Sequence, residues 1–158
     1  MVRPKFPIED FENTNKRTFG CEPCKDKRCA TCKIMQSSNS FKSSVTNKSY
    51  RIHTSINCKS KNVIYQLTCN HCPKDYIGLT TTPLHMRINN HRSSANNKND
   101  VKPISKHIKE HNSSFENCFS LKAICKLPEN CSKISLDQME QAHQLVLQSK
   151  VPFGLNIR

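Results

Sequence analysis

The sequence predicts an α+β fold: a small, mainly antiparallel three-stranded sheet flanked by helices, preceded by a cysteine-rich, zinc-binding linker. Three observations predict it. Val63-Ile64-Tyr65, Tyr76-Ile77-Gly78 and the run from Phe119 to Lys126 are short, apolar and β-prone, as strands are. Helix starts stand at Thr82-Pro83, at Pro103 and at Ser135. The chain is only 35% hydrophobic and carries ten cysteines, so a modest core invites metal staples.

A length of 158 residues fits one domain with an extension, or two very small domains. The division expected here is 1–57, a basic cysteine-rich linker, and 58–158, the sheet-and-helix domain. Lys and Arg number 25 against 12 acids, a net charge of +13, which favours nucleic acid as the partner. Charge alone does not separate DNA from RNA. No apolar run is long enough to span a membrane, and no basic amphipathic helix argues for a membrane surface. The opening MVRPKFPIEDF lacks the apolar core of a signal peptide, so an intracellular chain with metal-bound rather than disulfide-bonded cysteines is expected.

Residues 1 to about 20 are polar, hold Pro4 and Pro7, and read as a tail. Cys21-x2-Cys24-x4-Cys29-x2-Cys32 follows, two pairs that can place four thiolates around one zinc. The four-residue gap is short for such a site, so Cys58 or another thiol is a candidate to replace one of the four. Lys25, Lys27 and Arg28 favour thiolate formation. Residues 36–49 are Ser-, Asn- and Lys-rich and read as a flexible connector, one that could still pack over the following domain or track a phosphate backbone. Residues 50–56 alternate as a short strand does.

In the 62–91 stretch, threonine at 82 is expected to cap a helix with Pro83 at its first position. Arg87 and His91 lie one turn apart on it, bordering the apolar stripe of Leu84, Ile88 and Ala95. A guanidinium suits a phosphate, and a histidine or tyrosine can take a proton from water. Next, His107 and His111 are spaced as metal ligands on the Pro103 helix. Cys118, Cys125 and Cys131 lack a paired partner and read as small buried residues. Ser135 to Gln138 reads as a capping box opening a helix to about Ser149, with Leu136, Met139, Ala142, Val146 and Leu147 on its apolar face. Glu140 sits at the margin of that face, where a carboxylate can point into a cleft and hold a hard cation.

Taken together, Ile64-Tyr65, Tyr76-Ile77-Gly78 and Arg87-x3-His91 resemble the GIY-YIG endonucleases, with Val63 where the family has glycine. Cys69-x2-Cys72 between the two strand motifs narrows the resemblance to the endonuclease domain of Penelope-like retroelements. There such a pair belongs to a CCHH zinc site, which here would be Cys69, Cys72, His107 and His111. Four protein ligands leave no open position, so that zinc would be structural. The resemblance implies a metal-dependent DNA endonuclease, a nickase that primes reverse transcription. It implies Mg2+ or Mn2+ on Glu140, Arg87 on the phosphate, and Asn156 near the site. Tyr65, Tyr76 and His91 are left as candidates to position or deprotonate the attacking water. It further implies a nuclear location, with element RNA and the reverse transcriptase of the same polyprotein as partners beside DNA. The rival from another class is a zinc-dependent nucleic-acid-binding module without catalysis. A thiol-disulfide oxidoreductase is the last choice, because Cys69-x2-Cys72 lacks a βαβ setting.

Overall fold

The computed structural model describes residues 19–157. The tail expected at the start lies, up to residue 18, outside them. In chain order the elements are β1 (Gly20–Cys21), a 3-10 turn (Ala30–Lys33), β2 (Ser40–Lys42), β3 (Ser49–Arg51), β4 (Ser55–Ile56), β5 (Val63–Cys69) and β6 (Asp75–Thr80). Then come α1 (Leu84–Ala95), α2 (Pro103–Glu110), α3 (Phe115–Cys118), β7 (Phe119–Lys126) and α4 (Lys133–Leu147). The expected three-stranded sheet is present, antiparallel throughout, in the order β6-β5-β7.

β5 lies in the centre and six of its seven residues are buried. That burial explains why its sequence reads as a continuous apolar run rather than an alternating one. Val63 opens the strand fully buried and is not among the described residues with positive φ, so valine fits where a glycine was expected.

Over residues 36–49 the connector is ordered and packs on the domain, the second of the readings its composition left open. β2 pairs with β3 within it. Its serines find partners: Ser44 donates through its backbone N and its Oγ to the buried Asp75 at 2.8 and 2.7 Å, and Ser43 Oγ donates to the Leu147 carbonyl at 2.6 Å. A polar segment therefore docks by hydrogen bonds, which hydrophobic periodicity does not register. Phe41, Ile34, Met35 and Ile52 enter the same core as β5 and β7. The strand expected over residues 50–56 is split into β3 and β4, which belong to separate two-stranded sheets.

Two helix caps also differ from expectation. Pro83, not Thr82, is the N-cap of α1; the Thr82 hydroxyl pairs with Thr80 instead. α4 starts earlier, with Ser132 accepting from the Ser135 backbone N, and it ends at Leu147 with Gln148 in the left-handed region. Its buried face is Leu136, His143, Gln144 and Leu147. Met139, Ala142 and Val146 are only half-buried. Of the three unpaired cysteines, Cys118 is buried while Cys125 and Cys131 are half-buried. Among the described residues no helix is long and apolar enough to cross a membrane.

Candidate active site and metal clusters

The central strand presents Tyr65 directly across from Gly78 on β6. A Cβ at position 78 would lie 2.4 Å from the Tyr65 hydroxyl, so glycine there leaves the room that the phenol occupies. α1 lies over this ring. Tyr65 Oη is 2.7 Å from His91 Nε2, and Arg87 Nε donates to the same oxygen at 3.4 Å. Tyr65 Oη and His91 Nε2 share one hydrogen bond, whose direction follows the imidazole tautomer. Tyr65 is fully buried, and burial drives its pKa up. Burial, with the Arg87 and Lys102 charges, pushes His91 down to about 3, so the ring is neutral at physiological pH.

Tyr76, Arg87, His91, Glu140 and Asn156 line one cavity of about 420 Å3, so residues from β6, α1, α4 and the C-terminal segment meet there. Tyr65 lies behind this wall rather than in it. Burial raises the Tyr76 phenol, and the neighbouring Arg87 pulls it back. Burial, then the Asp137 charge, raises the Glu140 carboxyl, which Arg87 partly offsets. A half-buried carboxylate whose charge is under-compensated is a fitting ligand for a hard divalent cation. Glu116 is paired with Arg92.

Asn156 has its amide occupied. Its Oδ1 accepts from Ile77 N and its Nδ2 donates to Ile77 O, both at 2.8 Å. The side chain thus serves as a strand partner for the edge of β6 and pins the backbone between Tyr76 and Gly78. Gln144 and Lys102 are among the cavity residues that the sequence reading overlooked. Gln144 lies one turn beyond Glu140, donates to Ile77 O at 3.3 Å and is buried; its spacing of four from Glu140 was the available signal. Lys102 precedes Pro103 at the start of α2 and also lines the cavity.

Two clusters could hold metal ions. Cys69, Cys72, His107 and His111 bring their donor atoms within 4.8 Å of one another, as the sequence expects. Cys72 Sγ lies 3.4 Å from His107 Nε2, and His111 Nε2 lies 3.1 Å from His107 Nε2. Around a tetrahedral zinc such pairs sit about 3.4–3.6 Å apart. The second cluster takes the alternative that the sequence left open, with Cys58 in place of Cys21. It is Cys24, Cys29, Cys32 and Cys58. Cys21 is excluded: it lies buried in β1, and its Sγ donates to the Gln36 carbonyl at 3.2 Å. The loop before β5 supplies the fourth thiol.

The family model described as the GIY-YIG catalytic domain matches residues 61–142, just over half of the chain, and those residues include Tyr65, Tyr76, Arg87, His91 and Glu140. No curated protein and no solved structure matches the chain.

Proposed function

The chain belongs to the GIY-YIG catalytic-domain family, a superfamily of nucleases, and from that premise we propose that it is a metal-dependent DNA endonuclease that nicks one strand. One observation carries the reading: a phenol, a guanidinium, an imidazole and a carboxylate from three separate elements line a single cavity. Binding alone does not call for that combination.

Phosphodiester hydrolysis is extremely slow without catalysis, so the site must neutralise charge and orient water. Arg87 binds the scissile phosphate with its fixed charge. Glu140 would hold the divalent ion, Mg2+ or Mn2+. Bound there, the ion would supply Lewis-acid stabilisation of the phosphate and the departing 3′ oxygen. Tyr76 is the phenol that faces the cavity, and it orients the attacking water and takes its proton. Arg87 lowers the cost of the phenolate that this requires, against the burial that raises it. Tyr65 positions His91 and Arg87 from behind. Asn156 holds Tyr76 in register through Ile77.

Zinc at Cys69, Cys72, His107 and His111 is proposed as structural. It would tie the β5–β6 loop to α2, next to the cavity wall. This cysteine pair, set between the strand motifs, supports the finer reading of a retroelement endonuclease. In such an element the nick primes reverse transcription in the nucleus, with element RNA and the reverse transcriptase as partners.

The test is nicking of supercoiled plasmid with Mg2+ or Mn2+. The wild type is expected to nick, and Glu140→Ala and Arg87→Ala each to slow nicking by about a hundredfold or more. Tyr76→Phe is expected to cost more than Tyr65→Phe. Variants at Glu140 and Arg87 that nick as fast as wild type would overturn the site. Cation-independent DNA binding with no nicking under either ion would favour the non-catalytic zinc module.

A further inference from the structure

The helix that carries Arg87 and His91 begins against the second cysteine cluster. Its first amides have no partner within the helix, because a helix N-terminus leaves its first N–H groups unpaired. Pro83 offers no side-chain cap. The loop bearing Cys58 supplies the acceptors: Leu84 N donates to Ser60 O at 2.9 Å, and His85 N donates to Cys58 O at 2.7 Å. The 3-10 turn that carries Cys32 also packs on α1. Two of the four clustered cysteines thus sit on backbone that touches α1 directly.

The cluster has the dimensions of a metal site. Cys24 Sγ and Cys32 Sγ are 3.6 Å apart, and Cys32 Sγ and Cys58 Sγ are 3.8 Å apart. Thiolates around a tetrahedral zinc, with Zn–S near 2.3 Å, stand about 3.8 Å apart. The same spacing is far beyond a disulfide bond of about 2.05 Å. Four thiolates and Zn2+ carry a net charge of −2, and Lys25, Lys27, Arg28 and Lys33 in the same segment offset it.

We propose that Cys24, Cys29, Cys32 and Cys58 hold a zinc ion that locks the Cys58–Ser60 loop onto the start of α1, and so sets the position of Arg87 and His91. Thiol protons leave to solvent as the ion binds. Without the ion, the loop keeps only the β1–β4 pairing and the exposed Lys59–Asp26 ion pair as ties to the N-terminal segment. The Leu84 and His85 amides then lose fixed acceptors, and the first turn of α1 frays one turn below Arg87. These cysteines act as positioning residues and touch no substrate. The consequence for nicking rests on the nuclease reading above; the consequence for α1 does not.

The experiment uses the full chain and three readouts: zinc count by native mass spectrometry, amide exchange along α1, and plasmid nicking. Wild type is expected to carry two zinc ions. Cys24→Ser, which leaves the Cys58 loop unaltered, is expected to carry one, to exchange the Leu84 and His85 amides at least tenfold faster, and to lose about tenfold in kcat with KM little changed. Cys58→Ser should match it. Cys24→His, which restores a ligand, should recover the second zinc and the slow exchange. Cys21→Ser should keep two zinc ions. Two zinc ions in Cys24→Ser and Cys58→Ser would overturn the ligand set. One zinc with unchanged α1 exchange would overturn the coupling. A wild type that never nicks would refute the nuclease reading, while zinc count and exchange would still decide this inference.

Discussion

Gly78 leaves no space for a side chain, because the Tyr65 ring fills it and is held there by His91 and Arg87. Gly78→Ala is therefore expected to cost about 1–3 kcal/mol of stability by overpacking. It should also slow nicking, since the ring must shift away from both partners. Urea unfolding and the plasmid assay check this, and an alanine variant as stable as wild type would contradict the geometry. His91 gives a pH prediction. Its folded pKa is pushed down to about 3, against about 6.5 in an unfolded chain. Between those values the unfolded state binds a proton that the folded state does not. Stability is thus fully present above pH 6.5 and falls as pH drops towards 3, by on the order of 1.4 kcal/mol per pH unit. His143 is lowered too, mainly by burial, but is common to both proteins compared. His91→Gln should therefore lose less stability between pH 7 and pH 5 than wild type in urea titrations. Equal losses would mean that His91 is not held neutral. The two tyrosines were legible in the sequence as strand residues, but their ranking was not. Which phenol is sealed depends on Tyr65 being on the central strand beneath α1 and Tyr76 on the edge strand, a matter of strand order that periodicity does not encode.

At the scale of elements, β5, β6, β7, α1, α2 and α4 were legible because each carries its own apolar period or proline start. The N-terminal third was not. Its order comes from Ser43 and Ser44 bonding to Leu147 and Asp75, and from one thiol, Cys58, arriving from a distant loop. Side-chain hydrogen bonds leave no local signature, and Cys58 was open only as one possible replacement among the thiols. The α4 cap was misread by one turn fraction for a related reason, since Ser132 and Ser135 both qualify as caps and only the backbone decides. The clearest test of an element-level tie is the cluster joining the β5–β6 loop to α2. Cys72→Ser or His111→Ala should remove one zinc and lower stability by on the order of several kcal/mol, because ion binding free energy is folding free energy here. Wild type with excess chelator should lose at least as much, as both clusters are then stripped. A chelator that leaves the urea midpoint unchanged would contradict the structural role.

Across the whole molecule the charge of +13 is an average, and the question is where DNA uses it. The cavity holding Arg87 and Lys102 shares Pro103 and Ile157 with a neighbouring hollow lined by Lys74 and Lys106. A strand leaving the cavity over that ridge would meet cations in succession: Arg87, Lys102, Lys106 and Lys74. Exposed Val101 and Ile157 beside them offer apolar surface to sugars and bases. Four neutralised phosphates give a log–log salt slope of about −3.6, which weakens binding about a hundredfold between 50 and 200 mM salt. Measuring plasmid or duplex binding with Glu140→Gln in chelator separates this from catalysis. Lys102→Gln is expected to reduce the slope by about one, whereas Lys48→Gln, an exposed lysine in the β2–β3 turn, should leave it unchanged. If both variants shift the slope equally, the positive charge acts as a diffuse cloud and DNA has no fixed path beside the cavity. If only Lys102 does, the strand is held on the α2 side, which fixes the direction in which it leaves the bond that is cut.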